Sequence, residues 1–108
     1  MAQRQQILQA ELKRMIGVLK KRYHPERIIL FGSLVAGRIH AWSDIDLVVI
    51  KKTKKQGVDR LLEIAELCKN RIATHFLVYT PAEYKRLSAD KDSFLANEVL
   101  SKGKILYP

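Results

Sequence analysis

FGSLVAGRIHAWSDIDLVVI, Phe31 to Ile50, decides how this chain is read. An apolar run, RIILF, ends at Gly32–Ser33, and a second, LVVI, follows the pair Asp44 and Asp46. Runs of four or five apolar residues bounded by turn residues predict buried strands. The second, beginning near Asp44, predicts a central strand covered on both faces. Residues two apart on a strand share a face, so Asp44 and Asp46 project side by side. Two carboxylates that close repel unless something cationic sits between them. Magnesium, a hard cation that takes oxygen ligands and is often shared with substrate phosphates, is the natural candidate. A lone D-x-D is more simply a turn aspartate followed by a strand-entry aspartate. The pair upstream changes that balance. Gly32 permits close backbone approach, and Ser33 is expected to N-cap a short helix whose N–H groups receive a phosphate, with Gly37 closing it.

Working outward, Leu8, Leu12, Met15 and Leu19, joined by Ile16, recur on one face of a helix from Gln3 to about Arg22. His24–Pro25 ends it. Val58, Leu61, Leu62, Ala65 and Cys68 predict the apolar face of another helix, after the polar loop KKTKKQG. Thr74 to Tyr79 reads as a third strand. Thr80–Pro81–Ala82–Glu83 carries a capping box with proline at the first helical position. A last helix is expected over Asp92 to Ser101, and Ile105 to Tyr107 closes the chain. The fold class is therefore α/β (α+β): a small mixed sheet flanked by helices, one domain over residues 1–108.

Composition bounds the rest. Of 108 residues, 47% are hydrophobic and 29% charged, a globular balance. A formal charge of +9 suits an anionic partner such as a nucleotide, a nucleic acid or an acidic protein. The single cysteine, Cys68, excludes an intrachain disulfide and a multi-thiolate metal site, and its apolar neighbours predict a buried, inert thiol. No segment has the length and apolarity of a membrane span, which leads us to expect a cytoplasmic protein. The Gly–Ser turn lacks the G-K-[ST] ending of a P-loop. A nucleotide-sugar transferase gives that turn no role, and an aspartyl-phosphate enzyme places its aspartate at the end of a strand rather than the start.

FGS, Gly37 four residues after Ser33, and SDIDL at this spacing resemble the signature of the DNA polymerase beta-type nucleotidyltransferase superfamily. More narrowly, with TPAEYKR and the closing KGKILYP, the chain is similar to the minimal nucleotidyltransferases. The resemblance implies a polymerase beta-like fold and transfer of a nucleoside monophosphate from ATP to a hydroxyl. It assigns Gly32 and Ser33 to the triphosphate and Asp44 and Asp46 to magnesium and catalysis. It also implies a helical HEPN-type protein partner, within a toxin–antitoxin pair, whose hydroxyl accepts the AMP. Arg38, able to reach a phosphate or simply to end a helix, and Ser43, a turn cap or a phosphate contact, join the nucleotide-binding candidates. Trp42 reads as a core or interface anchor, and His40 and His24 carry no ligand spacing. A homo-oligomer stays open, and nucleic acid rests on charge alone.

One position departs from the pattern. The resemblance implies a third carboxylate about five residues before the Thr–Pro pair, and here RIATHFLVYTP puts His75 there. Imidazole can bind a metal or act as a base, but magnesium prefers oxygen. The alternative is thus a catalytically impaired, antitoxin-like or regulatory binding subunit.

Overall fold

The computed structural model describes residues 2–37, 39 and 44–108. Arg38, His40, Trp42 and Ser43 lie outside the described residues, as do the expectations attached to them. Helix α1 (Ala2–Val18) runs on into a π-helical turn at Leu19–Tyr23, which stops where His24 adopts a left-handed φ of 55° before Pro25. There follow β1 (Arg27–Phe31), α2 (Ser33–Ala36), β2 (Ile45–Ile50), α3 (Val58–Cys68), β3 (Thr74–Tyr79) and α4 (Pro81–Ala89). A π-helical segment, Leu95–Leu100, and β4 (Lys104–Tyr107) complete the order.

The strands form one mixed sheet in the order β3-β2-β1-β4. β1 is antiparallel to β2 and β4, whereas β2 and β3 run parallel through the α3 crossover. Inner strands must be apolar on both faces, which is why RIILF and IDLVVI read as near-continuous runs. Alternation sends Ile28, Leu30, Ile45, Leu47 and Val49 to one face, against Leu8, Leu12, Met15 and Leu19 of α1 and its continuation and Ile64 and Cys68 of α3. Ile29, Phe31, Val48 and Ile50 go to the other, under Tyr84 and Leu87 of α4 and Leu95 and Val99.

Two expectations need correction. α3 forms and buries Cys68 as predicted, but Ile64 shares its inward face, while Val58, Leu61, Leu62 and Ala65 are exposed. The inward stripe also carries Arg60, whose guanidinium meets Glu83 at 2.7 Å and the Val78 carbonyl at 3.2 Å. A charged residue on the core-facing stripe conceals it from a hydrophobic pattern. The second correction concerns α2, where Gly32 rather than Ser33 is the N-cap and no side chain makes a capping bond. The capping box of α4 is present as read, with Thr80 and Glu83 exchanging both bonds. Cys68 is fully buried, and desolvation pushes its thiol up to about 11.

Candidate functional site

Asp46 is the second residue of β2, and the alternation that buries Ile45 and Leu47 toward α1 turns it to the opposite face. Asp44 precedes the strand by one residue. In register, Asp46 stands opposite Phe31 on β1 and beside His75 on β3. One row across the sheet thus joins the end of β1, the mouth of β2 and the mouth of β3. α4 and Leu95–Leu100 cover this face further down the strands.

Gly32 sits next to Phe31 with φ 79° and ψ −154°, a conformation that L side chains rarely adopt. A Cβ built there would stand 2.2 Å from Asp46 Oδ2 and 3.0 Å from its Cγ. The carboxylate fills the space that glycine leaves, so the two halves of the opening motif form a single contact. The Ala36 N–H closes onto the Gly32 carbonyl at 3.1 Å, and Gly37 ends α2 with φ 74°.

His75 Nδ1 donates to Asp46 Oδ1 at 2.8 Å, and its Nε2 lies 3.9 Å from Asp44 Oδ2. The side chain of Asp46 is 18% exposed, that of Asp44 34% and that of His75 68%. The structure therefore brings together Gly32, Asp44, Asp46 and His75, with Ser33 next to Gly32 in the chain and on the wall of the neighbouring cleft. Among the described residues, no group of three or more His, Cys, Asp or Glu side chains is arranged to hold a metal ion. Two oxygen-donating carboxylates do fit magnesium, which keeps waters and takes phosphate oxygens in its remaining positions. The imidazole is engaged with those carboxylates and lies toward solvent.

A cleft of about 630 Å³ adjoins this row, lined by Phe31, Gly32, Ser33, Val35, Phe94, Glu98 and Lys102, among others. Its far wall carries no signal in the sequence. Glu98 and Lys102, 3.1 Å apart, have the i,i+4 spacing of a helical ion pair. Nothing in the sequence places them beside Ser33. That follows from β4 returning to pair with β1, which draws the preceding segment across the end of the sheet. A larger groove along α3, lined by Asp59, Leu62, Glu63 and Glu66, has no part in this row.

A mixed sheet with a Gly–Ser turn packed against a D-x-D strand defines a nucleotidyltransferase-type domain. Residues 13–108 match the family model described as polymerase beta, nucleotidyltransferase, and the chain belongs to that family. No curated protein matches the sequence. Among solved structures, the fold is similar to a Sulfolobus solfataricus protein provisionally classed as a nucleotidyltransferase. The two share 19% identity with a TM-score of 0.67, over 96% of this chain and 83% of that one. Among the described residues, no helix is long and apolar enough to cross a membrane.

Proposed function

We propose that the protein is a minimal nucleotidyltransferase that binds magnesium–ATP and transfers AMP to a hydroxyl of a helical, HEPN-type partner protein in a toxin–antitoxin pair. The observation that supports this reading is the contact between Gly32 and Asp46, which sets the Gly–Ser turn directly against a carboxylate that could take a metal. Asp44 and Asp46 would hold the metal, and Gly32 and Ser33 would face the triphosphate. When bound, magnesium supplies charge neutralisation to the phosphates. The acceptor oxygen bonds to the α-phosphorus, the α–β bridging P–O bond breaks, pyrophosphate leaves and the hydroxyl proton passes to water. The residues' part is to hold the triphosphate so that attacking and leaving oxygens lie in line.

A second reading, a nucleotide-binding subunit without transfer, is favoured by His75. The position implied for a third carboxylate carries an imidazole already bonded to Asp46. Incubation with magnesium, α-labelled ATP and the helical partner separates the two. Label reaching the partner, and lost with the double variant Asp44→Asn/Asp46→Asn, supports transfer. Stable partner binding without label, unchanged in the double variant, overturns it.

A further inference from the structure

The cleft beside Ser33 holds a feature that core packing leaves unexplained. Phe94 is 51% exposed, although Leu95 and Val99 just after it are buried. Its ring meets Phe31 edge to face, with centroids 5.7 Å apart and planes at 79°. Phe31 in turn is the register partner of Asp46. A half-exposed aromatic thus stands edge to face against Phe31, on the sheet face that carries Asp46, at the wall of a cleft of about 630 Å³. That volume lies within the range of small-molecule sites. Phe31, Val35 and Ala36 make the lining apolar, and Glu98 and Lys102 add one acceptor and one donor group.

We infer that this cleft seats the nucleobase of the triphosphate, stacked on the Phe94 ring, with the phosphates running past Gly32 toward Asp46. The inference rests on the reading of the site as a nucleoside triphosphate site. Every base offers a π-face, so stacking itself is tolerant of base identity. The wider ring system of a purine covers more of Phe94 than a pyrimidine does, so the cleft favours purines. Glu98 can accept from an amine or ring N–H on the base edge, and Lys102 can donate to a ring nitrogen or carbonyl.

Equilibrium titrations with ATP, CTP and inorganic tripolyphosphate, each with magnesium, test this on the wild-type protein and on Phe94→Ala and Phe94→Tyr, with thermal melts to verify folding. Phe94→Ala is expected to lose ATP affinity by about five- to 150-fold, the span measured for removing one base-stacking ring. Tripolyphosphate affinity stays unchanged, Phe94→Tyr retains ATP binding, and the preference for ATP over CTP shrinks in Phe94→Ala. Unchanged ATP affinity in folded Phe94→Ala would overturn the inference and leave Phe94 as a ring for protein docking. An equal loss for ATP and tripolyphosphate would also overturn it, by making the effect structural. If the wild-type protein binds neither ATP nor tripolyphosphate, the triphosphate site itself fails, and the base seat fails with it.

Discussion

His75 Nδ1 stands 2.8 Å from Asp46 Oδ1, while Nε2 of the same ring lies 3.9 Å from Asp44 Oδ2. One imidazole therefore spans the pair of carboxylates, through the parallel register that sets His75 beside Asp46. It satisfies Asp46 without adding an oxygen ligand. His75→Asp is expected to tighten magnesium binding by about tenfold, the lower end of what a supporting residue at a metal site contributes. Titration of magnesium dependence, by calorimetry and by label transfer, measures this. An unchanged magnesium affinity would show that the third position does not limit the site.

Gly32→Ala puts a methyl group 2.2 Å from Asp46 Oδ2 on a backbone with φ 79°. Either the carboxylate or the turn must move. The expected outcome is a destabilisation of about 1–3 kcal/mol, with loss of magnesium-dependent ATP binding. Chemical denaturation together with ATP titration measures both, and retained binding would argue against the close contact.

On α3, Ile64→Ala is expected to cost about 2–5 kcal/mol, because Ile64 is fully buried. Leu62→Ala, at a position 62% exposed, should cost no more than about 0.5 kcal/mol. Denaturant midpoints of the two variants report which face of the helix is inward.

That contrast shows where the sequence was legible and where it was not. β1 and β2 could be read because inner strands need apolar residues on both faces, which leaves unbroken runs. The capping box at Thr80 could be read because its chemistry is local. The inward face of α3 could not, because Arg60 reaches across to Glu83, a partner 23 residues away. For the site, Gly32, Ser33, Asp44 and Asp46 were legible from spacing, and His75 only through the position that the family resemblance implies before Thr80–Pro81. Phe94, Glu98 and Lys102 were not, since only the pairing of β4 with β1 brings them to Ser33.

Glu11 ties α1 to the loop before β3. It is buried, accepts from Arg14 at 2.7 and 3.0 Å, and also accepts from the Arg71 N–H. The Arg14 bond holds its carboxyl below the usual value of 4.5, against the opposing effect of burial. Glu83, bonded to Arg60, is lowered in the same way. A carboxyl depressed in the folded state adds stability that is complete above its unfolded pKa and is lost as pH falls through the folded one. Stability should therefore decline as pH falls from about 4.5. Glu11→Gln should flatten that decline and cost about 1–3 kcal/mol at neutral pH. Melting temperatures from pH 7 to pH 3 measure the slope, and an unchanged slope would contradict the assignment.

On the proposed reading, Gly32, Asp44 and Asp46 together hold a metal-bound triphosphate. Calorimetric titration of the wild-type protein and of Asp44→Asn/Asp46→Asn with ATP, with magnesium and with chelator, tests it most directly. The expected result is ATP binding that requires magnesium and disappears in the folded double variant. ATP binding of equal strength without magnesium, or undiminished in the double variant, would contradict it.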